Sequence, residues 1–164
     1  MFVIVQITAA IGAFLFGFVQ DKIGALKTNI FILFLWFVGV MGIYSVLHIT
    51  DWLNAIFDAD FEEQYVFLFI GLIAGVCLGS SQSASRTLVG LFTPDVKAAE
   101  FFGFWGLFYK IAGIFGIVGL GLLQTQIGLQ RSLLFCAGLF LIAMVICFFV
   151  DQKRGEQAAD YYRE

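Results

Sequence analysis

The sequence contains little charge. Asp, Glu, Lys and Arg make up 13% of the 164 residues and apolar residues 61%, compared with about a quarter and about half in ordinary globular domains. The apolar residues also form runs of membrane-spanning length, such as 2–19 and 30–47, and a soluble chain of this size has too little interior to bury them. The composition therefore excludes a soluble domain and indicates an integral membrane protein surrounded by the lipid bilayer.

Residues that serve metal sites and disulfides are also scarce. His48 is the only histidine, and the three cysteines (Cys77, Cys136 and Cys147) each lie inside an apolar run without metal-ligand spacing, so they are expected to pack as small hydrophobic side chains. The sequence pattern contains no phosphate-binding loop, no nucleophile with an adjacent base and no nucleic-acid-binding surface. It therefore predicts neither an enzyme, nor a metal or cofactor site, nor a nucleic-acid partner.

Five apolar segments are long enough to be transmembrane helices, and none alternates apolar and polar residues as a barrel strand does. The predicted helices are Phe2–Gln20, Ile30–Ile49, Tyr65–Leu91, Pro94–Leu123 and Arg131–Val150. Thr28 or Asn29 is expected to cap the second helix. Thr93, followed by Pro94 in the first turn, is expected to begin the fourth.

The placement of basic residues indicates how these helices cross the membrane. Most lysines and arginines lie in the connections at 20–29 and 86–97 and in the tail, whereas the connection at 51–63 has five acidic residues and no basic one. Connections rich in Lys and Arg stay in the cytoplasm, so the amino terminus is predicted outside and the carboxyl terminus inside. Residues 1–150 are thus expected to form one transmembrane segment, and residues 151–164 a polar, frayed cytoplasmic tail.

A polar stretch with two glycines separates the first two apolar segments. It reads Gly17-Phe-Val-Gln-Asp21-Lys22-Ile-Gly24-Ala-Leu-Lys27, which resembles the Gly-x-x-x-Asp-Arg/Lys-x-Gly signature of the major facilitator superfamily and departs from it at the two residues after Gly24. The resemblance implies a gating, conformational loop formed by Gly17, Asp21, Lys22, Gly24 and Lys27. In that loop the Asp21 carboxylate would face the positive end of a helix from the opposing half. The residues alone also fit a solvated turn that only sets topology.

Later segments strengthen this resemblance. Gly79-Ser-Ser-Gln82-Ser-Ala-Ser85-Arg86, Leu91-Phe-Thr-Pro94 and Ala98-Ala-Glu100-Phe101-Phe102-Gly103 are similar to the tenth-to-eleventh helix region of the vacuole effluxer-like branch, which includes autophagy-related amino-acid effluxers and bacterial relatives. The resemblance implies an all-α fold whose five helices correspond to the eighth to twelfth helices of a twelve-helix transporter. It also implies alternating-access secondary transport of a small solute, with amino acids as the first class to test, across a bacterial inner membrane.

A transporter of this type needs two six-helix halves around a midplane site, and these five helices would supply one half without its first helix. The chain is therefore expected either to belong to a longer reading frame or to assemble with a separate amino-terminal half or another membrane subunit. The alternative function, from a different class, is a non-transporting membrane subunit or assembly partner.

Polar residues within the spans are the candidates for a substrate pathway. Lys110 falls near the middle of the fourth predicted helix, too deep to reach water along lipid, and a charge there costs about 3 kcal/mol. It is expected either to bind an anionic group of the substrate or to pair with an acid outside this chain, with Tyr109 alongside. Gln82, Ser83 and Arg86 on the third helix either line a water-filled vestibule or only contact a neighbouring helix and the membrane interface.

Small residues indicate where helices approach closely. The third helix carries them at intervals of four, namely Gly71, Gly75, Gly79 and Ser83. The fourth helix carries glycines on the face of its lysine, namely Gly103, Gly106 and Gly113. We expect the first ridge to pack against another helix and the second set to open space around the lysine.

Overall fold

The computed structural model describes residues 2–57 and 62–161, and within these ranges the backbone is helical with no strand. The helices are α1 (Phe2–Ile23), α2 (Ala25–Tyr44), α3 (Val46–Phe57), α4 (Glu63–Leu91), α5 (Ala98–Ile127), α6 (Leu129–Phe148) and α7 (Gln152–Tyr161), with a 3₁₀ turn at Asp95–Lys97. Five of them, all but α3 and α7, are long and apolar enough to cross a membrane. The predicted all-α fold with five membrane-spanning helices is therefore confirmed.

The bundle is organised around α4. This helix packs along α1 and α2, α2 packs in turn along α6, and α5 touches α4 and α6 over shorter stretches. Large apolar side chains point outward on most helices, and on α5 Phe115 and Ile117 are 75% and 78% exposed. Such a surface is stable only when lipid or further helices cover it.

Glycines bring α1 and α4 into close contact. A Cβ built on Gly79 would collide with the α1 backbone at Ala9, and one built on Gly12 would collide with the α4 backbone. Gly75 lies directly against the side chain of Thr8. The small-residue ridge of α4 therefore lies at the α1 interface, where the absence of side chains lets the two backbones approach.

The first connection is much shorter than predicted. α1 continues to Ile23 and α2 begins at Ala25, so only Gly24 separates them, with φ 94° and ψ 150°. The predicted cap at Thr28 or Asn29 is wrong, because Gly24 is the N-cap and the Thr28 hydroxyl donates to the Gly24 carbonyl oxygen at 2.9 Å. A glycine adopts this positive φ at little cost, and the turn therefore needs no longer loop. We call residues 17–27, which comprise the end of α1, this turn and the start of α2, the elbow.

The second predicted helix is divided in two. α2 ends at Tyr44, and after Ser45 a separate helix, α3, covers half of the connection that was expected to be a loop. α3 has two different faces, since Thr50 is 4% exposed and Trp52 is 64% exposed. Residues 58–61 of that connection lie outside the described residues.

The fourth predicted helix begins later than expected. Pro94 has an extended backbone and precedes the 3₁₀ turn, and α5 starts at Ala98. The Thr93 hydroxyl donates back to the carbonyl oxygen of Val89, so this residue completes α4 and does not cap α5. The start signal was therefore wrong by about one turn.

The tail is not frayed between residues 152 and 161. Asp151 accepts a hydrogen bond from the Arg154 N–H at 3.2 Å, which is the geometry of a helix N-cap, and α7 follows. Gly155 packs against the ring of Phe92, just beyond α4, and Ala159 is 2% exposed. The tail thus folds back across the end of the bundle that carries the elbow.

Candidate functional site

Polar side chains gather in a cleft between α1 and α4. The cleft has a volume of about 550 Å³, and its polar lining is Gln6, Gln82, Ser83, Arg86 and Thr87. The four α4 residues share one side of the helix, because 82 and 86, and likewise 83 and 87, are four positions apart. Small α1 residues complete the wall, namely Ala9, Ala10 and Ala13. In a bundle this apolar, such a cleft is the default place for a polar solute.

Two of these residues also contact α5. The Arg86 Cζ atom lies 5.3 Å from the centroid of the Trp105 ring, and Gln82 Nε2 donates a long hydrogen bond to Tyr109 Oη at 3.5 Å. The Trp105 and Tyr109 rings stack with their centroids 5.6 Å apart. We call these four side chains, Gln82, Arg86, Trp105 and Tyr109, the Arg86 cluster.

The cluster presents Arg86 in a form suited to an anion. A guanidinium over an aromatic face is stabilised by about 0.5–2 kcal/mol, depending on how far it is desolvated. Its N–H donors lie along the edge of the guanidinium plane. Among residues 2–57 and 62–161, no hydrogen bond or ion pair satisfies those donors, and the same edge can therefore take a carboxylate with two parallel hydrogen bonds.

Gln82 separates this cleft from a smaller one. The second cavity, of about 340 Å³, lies between α2, α4 and α5, and its polar lining is Asn29, Trp36, Ser81, Gln82, Ser85 and Tyr109. Trp36 Nε1 donates to Ser81 Oγ at 2.9 Å, which fixes the far wall. Leu78 and Gln82 border both cavities, and the Gln82 amide hydrogen-bonds Tyr109.

Lys110 lies apart from this cleft. It is exposed on α5, borders neither cavity, and has no hydrogen-bond or ion-pair partner in the part of the chain that the structure describes. Nothing lies within 4 Å of a Cβ built on the neighbouring glycines, namely Gly103, Gly106 and Gly113. The face of α5 that carries the ammonium group is therefore left uncovered by the described chain.

The elbow carries the remaining predicted residues. Asp21 and Lys22 belong to the last turn of α1 and are exposed, and Lys27 is exposed in the first turn of α2. A Cβ on Gly17 would have open space around it, whereas Gly24 forms the turn itself. No ion pair of Asp21 is recorded within residues 2–57 and 62–161, so its carboxylate is available to another group.

The structure thus unites some of the predicted site residues and separates others. Gln82, Ser83 and Arg86 line one cleft, Tyr109 joins them through Gln82, and Lys110 faces elsewhere. The sequence interpretation missed Trp105 altogether. Its spacing of four from Tyr109 indicates a shared helix face, but no local pattern places that face beneath Arg86.

Comparisons with known proteins agree with the resemblance noted from the motifs. The family described as "Vacuole effluxer Atg22 like" matches residues 1–160. Autophagy-related protein 22-1 of Aspergillus niger is 22% identical over 158 residues, which cover 96% of this chain and 26% of that protein. Autophagy-related protein 22 of Coccidioides immitis has the same identity and coverage.

A bacterial relative and the lengths of these proteins add two points. The uncharacterised MFS-type transporter YxiO of Bacillus subtilis is 29% identical over 93 residues, which cover 56% of this chain and 22% of that protein. The chain spans about a quarter of the length of the curated relatives it matches. No solved structure matches it. With five helices able to cross a bilayer and a family match along nearly its whole length, the chain is a multi-pass membrane protein that belongs to the Atg22-like vacuole effluxer family.

Proposed function

We propose that these five helices form part of the carboxyl-terminal half of a secondary transporter of the major facilitator type, which moves a small solute by alternating access. The family match and the MFS-type relative support the class of protein. The observation that carries the proposal is the polar cleft between α1 and α4, with the Arg86 cluster at its side. Amino acids are the substrate class to test first, because the family is described by efflux and its motifs resemble those of amino-acid effluxers.

Arg86 is proposed to bind a carboxylate of the solute. Its free guanidinium edge supplies two donors, and Trp105 holds the guanidinium plane in place. Gln82 and Ser83, which line the same cleft, would supply neutral hydrogen bonds to the remaining polar atoms, and Tyr109 would hold the Gln82 amide. Such a site pairs one charged contact with several neutral ones, the usual composition of a selective small-molecule pocket.

Lys110 is proposed to face helices that this chain does not provide. An ammonium on lipid would cost about 3 kcal/mol, and the glycine-rich surface around it leaves room for a neighbour. There it would bind an anionic substrate group or an acid of the amino-terminal half. The equivalent of Lys110→Gln in a complete family member separates these roles, since unchanged affinity and turnover would overturn substrate binding.

The elbow is proposed to gate the transporter. Asp21 is exposed at the end of α1, where its carboxylate would meet the positive end of a helix from the opposing half, a contact worth about 0.3–1 kcal/mol when exposed. The equivalent of Asp21→Ala in a complete family member should impair transport and leave membrane insertion intact. Unchanged transport would leave the elbow with a role in topology alone.

The experiment for the whole proposal is solute flux in proteoliposomes. The chain is reconstituted alone and together with the first seven helices of a complete family member, and the flux of radiolabelled amino acids is measured. We expect flux only from the combined sample, and we expect it to fall at least tenfold in Arg86→Ala, since a charge-assisted pair contributes about 1.5–3 kcal/mol. Arg154→Ala on α7 removes an equal charge outside the cleft and serves as the matched control.

The alternative is a non-transporting membrane subunit. Expression of the chain by itself distinguishes the two, because a subunit should form a stable, specific complex with a membrane partner that moves no solute. Degradation of the isolated chain, rescued by the first seven helices of a complete family member, supports the transporter. A stable complex without flux overturns it.

A further inference from the structure

The first turn of α2 is capped from the other end of the chain. The Leu26 N–H donates to Gln152 Oε1 at 3.2 Å, across 126 positions of sequence. Backbone N–H groups in the first turn of a helix have no partner within that helix. The residue in the N-cap position is Gly24, which has no side chain to accept such a bond. Gln152 therefore supplies the cap that the elbow itself lacks.

The Gln152 side chain is held in this orientation by its own helix. Its Nε2 donates to Glu156 Oε1 at 2.7 Å, one turn further along α7, which leaves Oε1 directed at the elbow. That oxygen lies only 3.7 Å from where a Cβ at Gly24 would be. This distance is an ordinary van der Waals contact, so it is the positive φ that requires glycine at this position.

The other contacts of α7 reach a second connection. Gly155 packs against the ring of Phe92, the residue that ends α4, and Ala159 is buried. α7 therefore bridges the α1–α2 elbow and the start of the α4–α5 connection. The two connections flank the helices whose polar residues line the cleft.

We propose that Gln152 is a positioning residue for the elbow and that α7 is a strap tying the elbow to the end of α4. Release of the strap would free the first turn of α2 and allow α1 and α4 to change their relative tilt. The consequence for transport rests on the function proposed above. The strap itself does not, because its contacts lie within this chain.

Hydrogen–deuterium exchange of the purified full chain tests the strap directly. In Gln152→Ala the peptide covering residues 24–28 should exchange about fivefold faster, because one capping bond is lost, while α7 remains helical since alanine favours helix. Gln157→Ala, an exposed glutamine on the same helix, is the matched control and should leave exchange unchanged. Equal exchange in the two variants would overturn the proposal.

A second variant approaches the strap from its other end. Gly155→Leu places a side chain where the Phe92 ring now lies, so α7 should lift away and the 24–28 peptide should again exchange faster although Gln152 is intact. Unchanged exchange in this variant would overturn the bridging role of α7. A further outcome is faster exchange in both variants with unchanged flux in the combined proteoliposomes. That result would support the strap and overturn its coupling to transport.

Discussion

Among single residues, Gly79 is the one whose size matters most for packing. A Cβ at this position would meet the α1 backbone at Ala9, and backbone cannot move aside as a side chain can. Gly79→Ala should therefore push α1 from α4 and lower stability by about 1–3 kcal/mol, as overpacking does. Thermal unfolding in detergent measures the effect. Gly106→Ala, on the open face of α5, is the control, and an equal loss in both variants would contradict the close contact.

Trp105 is the residue on which the orientation of Arg86 depends. Trp105→Ala removes the aromatic platform, and a cation–π contact of about 0.5–2 kcal/mol corresponds to a rise in KM of about two- to thirtyfold in the reconstituted transporter. Trp105→Phe keeps a weaker aromatic platform, so its KM should lie between those of the unsubstituted protein and Trp105→Ala. Trp52→Ala, on the exposed face of α3, controls for loss of a large aromatic side chain. A similar KM in all three variants would rule out the positioning role.

Residue spacing predicted part of the site and not the rest. The separations among Gln82, Ser83 and Arg86 place them on one helix surface, and the structure puts all three in one cleft. The spacing does not define which helix that surface meets or at what angle. Trp105 was therefore missed, and Lys110 was grouped with residues that it does not approach, because both facts depend on how α4 and α5 are rotated about their axes.

At the scale of elements, α3 differs most from its prediction. No Asp, Glu, Lys or Arg lies between Ile30 and Ile49, so hydropathy alone predicted one helix across the break at Ser45. The break places an amphipathic helix beside the span, with Trp52 outward and Thr50 inward. This pattern is typical of a helix that lies at the membrane interface.

The depth of α3 can be measured by fluorescence. In a variant that keeps only Trp52, with Trp36 and Trp105 replaced by Phe, lipids brominated near the headgroup should quench emission more strongly than lipids brominated deep in the acyl chains, because indole rings favour the interface. A variant that keeps only Trp36, which stacks on Phe140 inside the bundle, should show no such preference. Stronger quenching of Trp52 by the deep probe would contradict the interfacial position.

At the elbow, the charged residues led to the prediction of a loop that the structure does not contain. Asp21 and Lys22 suggested a water-exposed connection, yet a helix end at the membrane surface hydrates such residues without unwinding. The glycine pattern contained the better signal, since Gly24 has the positive φ that reverses the chain between α1 and α2. The capping amide of Gln152 had no sequence signal, because the two residues meet only through the packing of the whole bundle.

For the whole molecule, two connections and the tail helix α7 meet at one end of the bundle. The elbow contacts α7 through Leu26 and Gln152, and the end of α4 contacts it through Phe92 and Gly155. These are the connections in which the sequence concentrates lysine and arginine. Their convergence agrees with the spacing of five spans, and we propose that this end faces the cytoplasm.

The orientation is tested by labelling single cysteines in vesicles of known sidedness, after the three native cysteines are replaced by alanine. Asp51→Cys on α3 and Lys153→Cys on α7 should react with a membrane-impermeant maleimide from opposite sides, because α4, α5 and α6 lie between them. Both positions are exposed, so each should react readily once accessible. Labelling of both from one side would mean an even number of crossings between them and would contradict the five-span arrangement.

A turn made of one residue cannot accommodate additional residues without changing the helices on either side. A tag, reporter domain or extra residue introduced at Gly24 would have to unwind a helix end and would also displace the Gln152 amide. Insertions of a few residues there should lower the yield of monodisperse protein on gel filtration, whereas the same insertions beyond Tyr161 should be tolerated. The packing of α1, α2 and α7 therefore fixes the length of the chain at this turn.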